Sequence, residues 1–128
     1  MKRRTLGLLT LLTLPFSSFA AKCPEPEYVN QHFQFVGNNV FVRNVKDIGI
    51  MRSIGTSPIH SVHYESFSSM ELRLQRVLAC TYKGTGSANF LTLQSITPNW
   101  RPGNIGVWTG RFCTRSIDEC IAINNPRS

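Results

Sequence analysis

The side chains equipped for chemistry are few and scattered. Four cysteines (Cys23, Cys80, Cys113 and Cys120), three histidines (His32, His60 and His63) and two close carboxylate pairs (Glu25 with Glu27, Asp118 with Glu119) are the candidates. Four thiolates suit zinc when they stand as C-x-x-C pairs, but neither that spacing nor a close Cys/His pair occurs, so no metal is expected. On a strand, His60 and His63 point to opposite faces and do not chelate together. Ser61 beside His60 is chain proximity without a G-x-S-x-G elbow. Two carboxyls facing one another would serve glycoside hydrolysis. Both pairs here sit beside cysteines in loop-like sequence, where solvated charge is the ordinary filler. "GTGS" at 84–87 has the glycines of a phosphate loop but lacks its lysine. No catalytic residue and no cofactor is assigned.

The residue types that point to binding are Trp100-Arg101 with Trp108 and Arg111. An exposed indole beside a guanidinium offers a flat stacking face with charge-assisted donors, suited to a sugar, an acidic group or a partner protein's loop. Pro98, Pro102 and Gly103 put Trp100 on a corner. The competing reading has Trp108 packing the core and Trp100 covering its end.

The N-terminus sets the compartment in which these residues work. Lys2, Arg3 and Arg4 precede an apolar stretch at 6–16 and then Ser18-Phe19-Ala20, the three parts of a secretory leader. Cleavage is expected after Ala20, leaving one domain at 21–128. The apolar stretch is shorter than the roughly 20 residues that span a bilayer, and no transmembrane segment is expected. Lys22, a long cation directly before Cys23, argues against lipidation of that cysteine, so Cys23 is free to pair.

Four cysteines in an oxidising compartment read as two disulfides. Three pairings are possible. Cys113 and Cys120 flank "TRSIDE", a polar segment suited to a corner between strands, which favours Cys113–Cys120 with Cys23–Cys80. Loop-closure entropy gives roughly 2.5 kcal/mol for the short ring and roughly 4 kcal/mol for the long one, as upper estimates.

Removing residues 1–20 leaves 108, with 11 Lys and Arg against seven Asp and Glu, a net charge of +4 where the full chain has +7. Mild basicity favours acidic surfaces by long-range attraction, and it also keeps a small exported protein soluble. No Lys/Arg block or groove-reading motif points to nucleic acid.

The elements that must position these residues are short strands. "FQFVGNNVFVRNV" reads as two strands around Gly37-Asn38-Asn39, "IGIMRSIG" and "IHSVHYESF" as strands parted by Thr56-Ser57-Pro58, and "KGTGSAN" as a hairpin loop before "FLTLQSI". "MELRLQRVLACTY" is read as one strand, with Met70, Leu72 and Leu74 on one face. A short helix there is the alternative. Residues 107–112 form a strand with Trp108 and Phe112 on one face, and "CIAINN" closes the chain. The expected fold is all-β: a small antiparallel sandwich or partly open barrel, with at most one short helix, stapled by two disulfides.

Cys23-Pro24 at an exported N-terminus, Cys80-Thr81-Tyr82 followed by Lys83-Gly84, and Cys113 with Glu119-Cys120 together resemble a family of small secreted or periplasmic gammaproteobacterial proteins of unknown function. The resemblance spans most of residues 21–128 and implies export and disulfides, with no activity to carry over.

The sequence thus points to an exported, periplasmic or secreted, non-catalytic binding module for a protein, a glycan or an acidic surface. Its oligomeric state is open. The alternatives are an inhibitor that inserts "KGTGSAN" or the Cys113–Cys120 ring into a hydrolase cleft, and a hydrolase whose site carries no familiar motif.

Overall fold

The computed structural model describes residues 19–54, 63–85 and 90–124. Residues 1–18 of the expected leader, the turn Thr56-Ser57-Pro58, His60 with Ser61, and residues 86–89 of "KGTGSAN" lie outside these. The described elements run β1 (Phe19–Ala21), α1 (Pro26–His32), β2 (Phe33–Val36), β3 (Asn39–Val45), β4 (Gly49–Ser53), β5 (Tyr64–Leu72), β6 (Leu78–Gly84), β7 (Phe90–Ser95), β8 (Trp100–Pro102), β9 (Phe112–Cys113) and β10 (Ala122–Asn124). Seven strands form a curled half-barrel sheet in the order β2-β3-β4-β7-β6-β5-β9, and three form a small sheet in the order β1-β10-β8. Every pairing is antiparallel.

Alternation decides which side chains face inward. Val40, Val42, Met51, Leu91, Leu93, Tyr82, Cys80 and Met70 lie on the inner face of the curl and are buried. The small sheet closes one side of this core with Trp100 and Ala122, and α1 adds Val29. Two buried serines complete the backbone bonding: Ser53 Oγ accepts from Val40 N at 2.8 Å, and Ser95 Oγ accepts from Leu78 N at 2.9 Å. Both disulfides are as expected. Cys23–Cys80 ties the N-terminal segment to the centre of the large sheet, and Cys113–Cys120 closes an eight-residue ring beside β9.

Three local expectations are corrected. The short helix is α1, in "PEYVNQH", where Pro26 at the first turn has its backbone pre-set and Glu27 favours the helix N-terminus. With one buried residue, Val29, it carries too little periodicity to be read from sequence. "MELRLQRVLACTY" is two strands, β5 and β6, joined by a tight turn with a 3-10 segment at Leu74–Arg76, in which Gln75 and Arg76 take φ of 61° and 59°. Alternation holds to Leu72 and fails at Leu74, which is 91 % exposed. No Gly, Pro, Asn or Asp marks this turn; the long β5–β6 pairing imposes it.

The third concerns residues 107–112, which do not form one strand. Val107 N bonds Asn104 O at 2.9 Å in one turn, and a second turn at Gly110, φ 60°, pairs Thr109 with Phe112. Trp108 is consequently buried while Phe112 is 42 % exposed.

At the N-terminus, Phe19 and Ala20 pair with Asn124 and Ile123, and Ala21 with Ala122. Cleavage after Ala20 would leave only the Ala21 rung. Among the described residues no helix is long and apolar enough to cross a membrane.

Candidate functional site

The structure separates the residues of the expected Trp/Arg corner. Trp100 on β8 is 1 % exposed, and its indole Nε1 donates to Thr97 O at 3.0 Å. The Trp108 indole donates to Ile121 O at 2.9 Å. Both rings join the central core, so neither offers a face to a ligand. Two indoles carry more apolar area than a small domain can leave in water, and each N–H finds a carbonyl inside. Arg101 is exposed on β8, whereas Arg111 borders the other sheet, its Nε 3.8 Å from Glu71 and its guanidinium 5.3 Å from the centre of the Phe112 ring.

The other candidates are held in local structure. His32 is exposed at the end of α1 and stacks on Tyr28 at 4.0 Å, and His63 is exposed just before β5. Asp118 pairs with Lys22 at 2.6 Å. The hydrogen bond to Asp118, followed by its charge, raises the Lys22 pKa above its ordinary value. Glu119 accepts from the Ser116 hydroxyl at 2.9 Å and its backbone N–H at 3.4 Å, and these bonds hold its carboxyl below the usual range. Both acids therefore shape the disulfide ring. Among the described residues, no cluster of three or more His, Cys, Asp or Glu comes together as metal ligands.

A cleft of about 490 Å³ lies between the N-terminal segment and the β3–β4 turn, lined by Ala20, Ala21, Tyr28, Val45 and Ile121. Its lining carries Lys22 and Lys46 together with Glu25, Asp47 and Asp118. Three carboxylates against two cations leave the cleft without the cationic character an acidic ligand needs, and cleavage after Ala20 would reshape its wall.

The surface with a clear chemical character is the outer, convex face of the large sheet. One row of paired residues crosses all seven strands: Gln34, Phe41, Arg52, Gln94, Ala79, Glu71 and Phe112. By alternation Arg43, Ile50, Lys83, Phe90 and Ile96 stand on the same face. Ile50, Phe90 and Ile96 are exposed, and Arg43 lies with its guanidinium 5.5 Å from the centre of the Phe41 ring. Glu71 is the one carboxylate that these registers place there. It is held by Arg73 at 3.0 Å and lies 3.8 Å from Arg111, so it is more than neutralised. Glu65, near a bulge of β5, instead shares a depression with Ser116 and Asp118. The result is a sheet face of aromatic and aliphatic side chains set among cations that no carboxylate of the described residues pairs: Arg43, Arg52 and Lys83.

Reading for single residues missed this face. The signal was present in "VFVRNV" and "GIMRS", where the positions alternating with Val40, Val42 and Met51 carry Phe41, Arg43, Ile50 and Arg52. What could not be seen was that β4, β7 and β6 would align those positions.

No family model, curated protein or solved structure matches the chain. The two disulfides are the mark of an oxidising, non-cytoplasmic location.

Proposed function

We propose that this protein is an exported, non-catalytic binding module whose contact surface is the outer face of the seven-stranded sheet. Its ligand is an acidic polymer or surface carrying repeated carboxylate, phosphate or sulfate groups, met in the periplasm or the medium. The observation that supports this is the charge pattern of the face: Arg43, Arg52 and Lys83 stand among exposed Ile50, Phe90 and Ile96, with Glu71 already paired. Guanidinium groups bind planar anions through paired donors, and the apolar side chains between them exclude water.

The test is binding of the oxidised chain to immobilised heparin, as a sulfated polysaccharide, with neutral dextran as control. Substituting Arg43, Arg52 and Lys83 together by serine is expected to weaken heparin binding by at least about ten-fold, each surface charge contributing roughly 0.5 kcal/mol. The melting temperature should not change. Equal binding to heparin and dextran, or binding indifferent to the triple substitution, would reject this face.

A second reading, inhibition of a hydrolase, draws on the turn between β5 and β6. Leu74 stands 91 % exposed, on a backbone pinned by Arg73 N to Val77 O at 3.0 Å and Asn99 N to Gln75 O at 3.3 Å. A rigid loop with an apolar tip is what insertion into a cleft requires. Dose-dependent inhibition across a hydrolase panel, lost in Leu74→Asp, is the result this reading expects.

A further inference from the structure

We infer that β2 is a self-association edge, along which two copies of the chain pair antiparallel about a two-fold axis at Phe35 and join their seven-stranded sheets into one. β2 ends the large sheet, and no described residue pairs with its outer side. Edge strands are ordinarily guarded by charge, proline, a bulge or a covering element. Phe33-Gln34-Phe35-Val36 carries no charge and no proline, it pairs with β3 without a register shift, and Phe35 and Val36 are 45 % and 53 % exposed. The opposite edge, β9, is two residues long and runs straight into the Cys113–Cys120 ring.

The backbone fixes the register. A two-residue turn at Gly37-Asn38, with Gly37 at φ 63°, closes on Val36 and Asn39, so that pair faces inward along the ladder, as does Gln34 with Phe41. Antiparallel alternation then aims both backbone groups of Phe35, and the carbonyl of Phe33, away from β3. The Phe33 N–H is already given to Val29 O at the end of α1. Centring the two-fold on Phe35 uses what remains. Each Phe35 N–H donates to the Phe35 carbonyl of the second copy, and each Gly37 N–H to the Phe33 carbonyl of the second copy. Phe35 packs on its counterpart on one side of the sheet, and Gln34 meets Val36 on the other.

Four residues a side bury less than the roughly 1,200 Å² of a stable interface, so the dimer is transient. Both copies are cationic, so added salt strengthens the association. The inference stands apart from the acidic-ligand reading, although a two-fold normal to the sheet would set two cationic faces side by side.

The experiment is sedimentation velocity of the oxidised chain from about 10 µM to about 1 mM, the range in which a contact of this size associates. Amide hydrogen exchange is followed alongside. The average mass is expected to rise towards the dimer while exchange at the Phe35 N–H slows with concentration and that at Val36 does not. Phe35→Lys should abolish both effects and leave monovalent heparin binding intact. The inference is overturned by a monomer mass throughout, by a dimer with no concentration-dependent protection at Phe35, or by Phe35 protection that ignores concentration, which would mean that the same chain covers the edge.

Discussion

Trp100 and Trp108 face one constraint, the burial of a large ring that carries a donor, and each meets it by reaching a carbonyl of a neighbouring loop. Their fluorescence should therefore be blue-shifted and barely quenched by iodide in the folded state, whereas exposed stacking platforms would be quenched readily. Trp100→Ala is expected to lower stability by about 3–5 kcal/mol in urea unfolding, as large-to-small changes in a packed core do. Tyr64 and Tyr82 answer to burial differently, through their protons. Burial pushes the Tyr64 hydroxyl up to about 12 from 10.0; burial and then the Glu25 charge raise Tyr82 well above its ordinary value. A raised folded-state pKa favours the protonated form, so this stability is fully present below pH 10 and is lost as pH climbs through the folded values. Ultraviolet titration should show Tyr64 and Tyr82 ionising only above the ordinary tyrosine range. Ionisation of Tyr64 and Tyr82 in the ordinary range while the chain stays folded would contradict their burial.

Among the elements, α1 has its influence through one side chain. Asn30 Nδ2 donates to Tyr64 O at 2.8 Å while its Oδ1 accepts from Tyr64 N at 2.9 Å, which continues the ladder at the start of β5 where backbone partners run out. Asn30→Ala strands both backbone groups and is expected to cost about 1–3 kcal/mol, with faster exchange at the Tyr64 amide as the local signature. Cys23–Cys80 acts on the same region, holding the N-terminal segment while Tyr82 Oη donates to Pro24 O at 2.6 Å. The β5–β6 turn shows an element fixed from a distance. Gln75 and Arg76 accept left-handed backbone, at a cost of roughly 1–2 kcal/mol each, because seven register pairs of the flanking strands outweigh it.

At the scale of the whole molecule, the charges of the described residues are unevenly placed: Arg43, Arg52 and Lys83 share the convex face, and most acids, Glu25, Glu27, Asp118 and Glu119, sit at the N-terminal segment and the disulfide ring. Heparin binding should therefore weaken as salt is raised while self-association strengthens, and a shared sign for the two would place them on one surface. Much of this architecture was legible in the chain. Strands at β2, β3, β4 and β7 followed from alternation and from Gly37-Asn38. The disulfide partners followed from an even cysteine count and the polar spacer between Cys113 and Cys120. These are local properties, determined by which residues stand two or seven positions apart. The tertiary structure alone decided that Trp100 turns inward, that Leu74 ends at a turn tip, and that Gln34, Phe41, Arg52, Gln94, Ala79, Glu71 and Phe112 make one row across seven strands. Those outcomes depend on register between segments distant in the chain, and register is set by the sum of long-range pairings and core packing, which no single stretch of sequence contains.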